Sequence, residues 1–554
     1  MADEQGIVQN RPPNSDRPGA PASSRLKRSL PPVLKGILRR QADRLFSTAE
    51  ARAYREWLSQ RRRRLEAEFR GPLQPGLLSI ITPVWNGSAV SHLNILARSI
   101  VEQNRGGACE WVILDNGCSK PYLLHTLQQL ARHDWVKLIP LPANIGITKG
   151  LSRCLEAASG RYVVPVDADD LLHPWALRVV TARVTAAGFP PLLYSDEDKV
   201  IGTKFYQPYM KPDWDPVLLL NSAYIAHLGV VDRGAAMELG AYSDAAVEAS
   251  PDWDLFVRFL AARCTAVHIP EILYSWRVHA GSTADDAANK AHVHSSQRAV
   301  LQRFLNETGH AHNFSVELSP LLGGASHWTL VRNAGTPLDY ITVILDESAA
   351  PAEARSLVSV AEQLAERDAW LHLVGQDVRI DNSRWFDEAA GIAELHPDTV
   401  MIGGRIRNGR GSVIQAGQYF GFAGACGDPN RGRASDDPGY FGQMWKQRSV
   451  SAVATQFAVI KARFLLATLR TAPSEASVAF LGAWVGAHAL RTGKRIVYSP
   501  FLSGTSEVDW DALAPRAEQI LFAKVNADII PDRRFYSRNL SLRAPFRLSE
   551  PEAR

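Results

Sequence analysis

The sequence predicts an α/β fold, a mostly parallel sheet flanked by helices, on three observations. Leu77–Val84 is a near-continuous apolar run, the texture of a strand buried on both faces. Apolar strands and helical patterns then alternate up to Val166, as in βαβ units. Three carboxylates, Asp167, Asp169 and Asp170, follow the last of these strands, and ligands of such sheets bind beyond the carboxyl ends of the strands.

Taken in order, residues 1–29 form a Pro-, Ser-, Gly- and Asn-rich arm expected to be disordered. Residues 30–72 read as a basic helical segment. Val33, Ile37, Leu38 and Leu45 share a face edged by Lys35, Arg39, Arg40 and Arg44, and a second basic stretch holds Arg61 to Arg64. Such a helix suits either peripheral contact with an anionic membrane or a solvated surface. Residues 73–318 form the first α/β domain. After Leu77–Val84 come a helix over Val90–Gln103, a strand at Trp111–Leu114 and a helix over Leu123–Arg132. Val136–Leu141 is extended, Thr148–Ala158 helical and Tyr162–Val166 extended. Residues 319–530 form a second α/β region, with strands at Tyr340–Leu345 and Trp370–Val374 around a helix over Ala352–Glu366. The tail, 531–554, is Arg-rich and loop-like, and its sequence assigns it no role.

At 554 residues, 46% hydrophobic and 21% charged, the chain has the composition of a globular protein of several units. No run approaches 18 apolar residues, so no spanning helix is expected. The N-terminus lacks a secretory pattern, and five scattered cysteines without a C-x-x-C pair suit a reducing compartment. The expected location is the cytoplasm, with peripheral contact at the inner face of the membrane as the alternative that the basic helix offers. Residues 1–70 carry 16 Lys/Arg against 8 Asp/Glu, leaving the remainder 46 against 49. The positive charge therefore belongs to the N-terminal segment, and nothing indicates a nucleic-acid partner.

Val164-Pro-Val-Asp167-Ala168-Asp169-Asp170 places carboxylates at alternate positions on a bend, where they can converge on a hard cation. Alone, the motif equally describes an acidic turn capping a helix. Its surroundings resemble family-2 glycosyltransferases of the GT-A fold, in the subgroup that builds O-antigen and other cell-surface polysaccharides. "LLSIITPVWNG", "EWVILDNGCS" and "ANIGITKGLSRCLEAASGRYVVPVDADD" follow the family's order. "YSDEDKV", "KPDWDPVLLLNSAYIAHLGVVDR", "SPDWDLFVRFL" and "HIPEILYSWRVHAGSTA" continue it to about residue 310.

The resemblance implies an inverting transfer from a nucleotide-diphospho-sugar, UDP- or dTDP-linked, to a glycan or lipid-linked acceptor. Pro83, Trp85, Asp115, Asn144, Gly146, Asp167 and Ala168 would contact the nucleotide sugar. Asp167, Asp169 and His279 would hold Mn²⁺ or Mg²⁺, with Asp169 the firmer ligand. Asp252 would be the general base, against its alternative as a helix-terminal anion. Asp196, Glu197 and Asp198, an acidic turn that frames the acceptor site or is only a solvated loop, and Trp253 and Asp254 are candidates for the acceptor side, although Trp253 and Asp254 also suit core and cap positions. Pro251 stands where the family often has Gln or Glu, and Gly150-Leu151-Ser152 replaces Ala-Arg-Asn. The Q-x-x-R-W motif of processive enzymes is missing, since "DNSRW" has Asp381 at its first position.

"LHLVGQDVRIDNSRWFDEA" and "VAFLGAWVGAHALRTGKRIVYSPF" repeat the pattern faintly, with Gly482 and Trp484 in place of the acids. The second region is therefore expected to be a degenerate GT-A-like domain without chemistry. The competing functions are a catalytically inactive, glycan- or membrane-associated scaffold and a sugar nucleotidyltransferase. "PVWNGSAV" lacks the Gly-rich, Arg-containing loop of the latter.

Overall fold

The computed structural model describes residues 32–278, 287–321, 327–346 and 352–550, side chains of 32–49 and 287–291 excepted. The arm 1–29 and His279 lie outside the described residues. Two units separate, residues 1–56 and 57–554. The described part of the first is helical and belongs to one long helix, Pro32–Glu68, which joins the two basic stretches. Among the described residues no helix is long and apolar enough to cross a membrane.

Residues 57–554 contain two large sheets. The first has strands β1 (Leu78–Val84), β2 (Glu110–Asn116), β3 (Val136–Leu141), β4 (Tyr162–Pro165), β5 (Leu171–Leu172), β6 (Leu192–Ile201), β7 (Lys204–Tyr209), β8 (Gly229–Asp232) and β9 (Val267–Arg277). Their order is β3-β2-β1-β4-β8-β6-β9-β5, with β7 on β6. β1 to β4 run parallel and β8 enters antiparallel, so the sheet is mixed and GT-A-like. β1 is buried along its whole length, which explains its near-continuous apolar run. The helices Val90–Gln103, Pro121–Leu130 and Ile147–Ala157 cover the parallel half, each burying one apolar face.

After a hairpin of β10 (Phe314–Leu318) and β11 (Trp328–Arg332), the second sheet begins. It uses β12 (Tyr340–Leu345), β13 (Trp370–Gly375), β14 (Arg379–Ile380), β15 (Thr399–Arg407) and β16 (Val413–Gln415). A small pair, β17 (Tyr419–Phe420) and β18 (Cys426–Gly427), precedes its last strands, β19 (Arg448–Val450), β20 (Phe457–Lys461) and β21 (Arg495–Thr505). The order β12-β13-β20-β15-β21-β14, with β16 on β15, repeats β1-β4-β8-β6-β9-β5 with β7 on β6. Every pairing sense agrees: β12 and β13 are parallel, β20 antiparallel to both neighbours, and β21 parallel to β15. Counterparts of β2 and β3 are missing from this described sheet, so β12 is its edge. The repeat is thus real in topology but lacks the strands that carry Asp115.

Candidate active site

The parallel half ends in a row of loops. Pro83 lies near the end of β1, and the Trp85 ring just beyond it is 55% exposed. Asp115 closes β2 and accepts a hydrogen bond from the Cys118 amide at 2.8 Å. Asn116, which sequence reasoning passed over, ties this strand end to the next loop. It accepts from the Ile145 amide at 2.9 Å and donates to the Gly146 carbonyl at 3.0 Å. Asn144 accepts from the Gly146 amide at 2.8 Å, and Gly146 has φ 89°, a conformation that favours glycine. The Glu248 carboxylate then receives the Ile147 and Thr148 amides at the helix start. Together the loops hold the expected nucleotide-side residues along one strand-end rim.

The acidic turn sits beside them. Asp167 is half exposed, Ala168 buried and Asp170 almost wholly buried. Asp170 accepts from the Tyr274 hydroxyl at 2.5 Å and from the Arg277 amide at 2.7 Å. Arg277 Nε donates to the Asp169 carbonyl at 2.6 Å, fixing the turn to β9. His227 stacks on Tyr274 with ring centroids 4.6 Å apart. Its Nε2 lies 3.6 Å from Asp167 and its Nδ1 3.6 Å from Glu197. One potential ligand atom each from Asp167, Asp170 and His227 lies within 4.8 Å of the others. Among the described residues this cluster takes Asp170 and His227 and leaves out Asp169. Two oxygens and one imidazole nitrogen fit a divalent cation, Mn²⁺ better than Mg²⁺ because of the nitrogen.

Electrostatics tie these groups together. Burial lowers the His227 pKa, but the Asp167 and Glu197 carboxylates outweigh it and hold it well above the ordinary value. Burial raises Glu197, yet Lys211 and His227 reverse that and bring it down to about 2. Lys211, fully buried, donates to Glu197 at 3.1 Å and also to the His227 carbonyl. Burial pushes the Asp170 carboxyl well up, with Asp167 adding to the effect.

Asp252 is the second residue of the helix Pro251–Ala261. Burial raises its carboxyl to about 6, opposed by His227 and reinforced by Asp167 and Glu197. That coupling places it within electrostatic reach of the acidic turn. Its neighbours face elsewhere. Trp253 is only 2% exposed and donates to the Leu219 carbonyl at 2.8 Å. Asp254 is buried between Arg258, at 2.6 Å, and Arg303. Both are held in the core, because successive helical residues point about 100° apart and these two positions turn inward. Asp196 and Asp198 are corrected likewise. They belong to strand β6, not to a turn, and both are buried. Asp196 meets His268 and the Lys211 amide, each at 2.8 Å, and Asp198 accepts from Ser275. Glu197, on the opposite face of the strand, is the one that reaches His227. His227 and Lys211 both lie in the segment 211–233 that carries the resemblance, yet nothing in the sequence singles either out as a site residue.

Residues 79–189 match the family described as Glycosyl transferase family 2. The resemblance read from the motifs is borne out there: the chain carries a domain of this family. Among curated proteins it is similar to y4gI of Sinorhizobium fredii (strain NBRC 101917 / NGR234), a protein described as uncharacterized. The two are 27% identical over 497 residues, 78% of this chain and 54% of that protein. It is also similar to the O-antigen biosynthesis protein RfbC of Myxococcus xanthus, 29% identical over 224 residues, 39% of this chain and 17% of RfbC. The chain thus spans about half the length of the first relative and less of the second. Among solved structures, S. aureus TarS residues 1–349 align with a TM-score of 0.32 at 19% identity, covering 42% of this chain and 71% of that one. The same fragment in complex with UDP-GlcNAc gives 0.33 at 19% identity, covering 42% and 72%.

Proposed function

We propose that this chain is an inverting glycosyltransferase that moves a sugar from a nucleotide-diphosphate donor to a glycan or lipid-linked acceptor. Asp252 carries the reading: its carboxyl is raised to about 6 and lies within electrostatic reach of Asp167 and His227, two members of the cluster that includes Asp170. A base with a pKa near the working pH is suited to take a hydroxyl proton. The acceptor oxygen would form the new bond to the anomeric carbon as the bond to the diphosphate oxygen breaks. Asp252 would take the hydroxyl proton, and the nucleoside diphosphate would leave with its bonding electrons. A single displacement inverts the anomeric centre without a covalent enzyme intermediate.

The strand-end rim of Pro83, Trp85, Asp115, Asn144 and Gly146 would seat the donor nucleotide. Asp167, Asp170 and His227 would hold a divalent cation, which supplies Lewis-acid stabilisation of charge on the leaving diphosphate. Glu197 and Lys211 would fix the His227 ring between the two. The family-2 domain and the O-antigen name of one relative favour a role in surface polysaccharide assembly, with 73–318 as catalytic domain and 319–530 as its degenerate companion. A cytoplasmic location, with the basic helix of 30–72 touching the membrane, accords with a lipid-linked acceptor. Transfer from UDP- and dTDP-sugars, measured with Mn²⁺ for wild type and Asp252→Asn, tests the mechanism. Binding of donor with transfer lost in the variant is the expected outcome. Absence of any nucleotide-sugar binding would favour the inactive scaffold.

A further inference from the structure

Two basic segments without a role in the reaction come together in the folded chain. A cavity of about 670 Å³ is lined by Arg61 and Arg64 of the long helix, Arg183 of the helix Ala176–Ala186, and Arg533 and Arg538 of the C-terminal tail. Three carboxylates also line it, and two are engaged locally. Glu271 receives both Arg61 donors, at 2.6 and 2.5 Å, and Glu68 stands 3.6 Å from Arg64 on the same helix. The third, Glu550, is at the tail's end of the cavity. Arg538 is exposed and has no ion pair among the described residues. Arg183 Nε is buried with no hydrogen-bond partner, its guanidinium lying over the Phe69 ring.

Guanidinium groups converging on one cavity repel each other unless an anion joins them, and a buried donor without an acceptor is costly. The planar, forked donors of arginine match phosphate oxygens better than any other common anion-binding side chain. The volume also lies within the range of small-molecule sites. The tail reaches the cavity through Asn539, which donates to the Pro270 carbonyl at 2.8 Å and so fixes Arg538 at the rim.

We propose that this cavity, apart from the acidic turn, binds a phosphate or diphosphate group, with Arg183 and Arg538 as its principal donors. The group is carried either by a soluble molecule or by an anionic lipid headgroup. The site gives the basic helix and the Arg-rich tail one shared ligand, and it is independent of the reading of Asp252.

The test uses the full chain in EDTA, which removes cation-dependent diphosphate binding at Asp167 and Asp170. Pyrophosphate is titrated calorimetrically, and vesicles of phosphatidic acid in phosphatidylcholine are tested by co-sedimentation. Arg538→Gln and Arg183→Gln are compared with Arg63→Gln, an exposed arginine of the long helix Pro32–Glu68 outside the cavity. Saturable pyrophosphate binding, weakened roughly tenfold or more by the first two variants and unchanged by the third, supports a soluble ligand. Vesicle binding alone, with the same variant pattern, supports a lipid headgroup. Because Arg538 is exposed, its variant is expected to fold, and thermal unfolding checks it. Binding of neither probe, or binding equally strong in Arg538→Gln, Arg183→Gln and Arg63→Gln, overturns the proposal.

Discussion

Asp252→Asn separates a catalytic base from a helix-terminal anion by the sign of its effect on stability. The substitution keeps the side chain's shape and removes its charge. In the folded chain burial, Asp167 and Glu197 raise the carboxyl from its ordinary 3.8 to about 6. An acid raised on folding binds its proton more tightly in the native state. Its stabilising contribution is therefore complete below pH 3.8 and is lost as pH rises through about 6. At roughly 1.4 kcal/mol per pH unit, the ionised carboxylate costs the native state about 3 kcal/mol at pH 7.5. Urea unfolding in EDTA should show Asp252→Asn more stable than wild type at pH 7.5, by about 1–3 kcal/mol, the gap narrowing as pH falls through about 6 and closing near 3.8. If Asp252 served mainly the helix dipole, the variant would instead lose about 0.3–1 kcal/mol. Transfer should fall roughly 10²–10⁴-fold, and the wild-type rate should decline as pH falls through about 6, where the base becomes protonated. A destabilised variant, or one with undiminished transfer, would refute the assignment.

Chelation should abolish transfer, and Mn²⁺ should restore it better than Mg²⁺. His227→Ala should narrow that difference by removing the nitrogen donor, which metal titrations of the rate would reveal. Phe441, 37% exposed with φ 50°, stacks on Tyr209 at 3.9 Å, and Tyr209 pairs with Glu197 across β7 and β6. Phe441→Ala should raise acceptor KM roughly three- to tenfold through lost stacking, leaving donor hydrolysis unchanged in a coupled diphosphate assay. Gly482→Ala should lower stability by at least about 1–3 kcal/mol in denaturant melts, because an added Cβ would meet the Val453 carbonyl at 1.9 Å.

Much of the scaffold was legible because its signals are local. The helix Val90–Gln103 and the strands Val136–Leu141 and Tyr340–Leu345 have the ends their periodicity predicts. Asp167 and Asp252 were legible from the motifs around them. His227 was not: it touches Asp167 only because β8 enters beside β4, a pairing that one sequence does not disclose. Asp196, Glu197 and Asp198 read as a solvated turn because three consecutive acids rarely occupy a central strand. The strand tolerates them because His268, Ser275 and Lys211 supply partners from neighbouring elements. Trp253 and Asp254 were drawn towards the site by adjacency to Asp252, an inference that helical geometry overrules.

Under the proposed mechanism, the repeat gives a physical reason for chemistry in one copy. Gly482 is the second residue of the helix Leu481–Arg491, as Asp252 is of Pro251–Ala261, and each helix leads into the matching strand, β21 or β9. In the first copy, Asp252 and His227, just before β8, are charged groups within electrostatic reach of each other. In the second, the stretch entering β20 lies directly against the helix. Val453 fills the position at Gly482, and the Ser451 carbonyl lies 2.2 Å from where a Gly486 Cβ would be. Restoring an acid at Gly482 would thus first require moving backbone. Trp484 donates to buried Glu518 at 2.8 Å, so this helix face is filled by core where the first copy has the buried Asp254 ion pairs. With β2 and β3 also without counterparts among the described residues, the second sheet lacks the strand ends that carry Asp115 and lead to Asn144 in the first, and the room for a base at Gly482. What it does retain is the loop holding Phe441, set against β7 of the first copy. Any influence on the reaction must therefore pass through that contact or others like it, which is why Phe441→Ala is expected to change acceptor binding and not donor turnover.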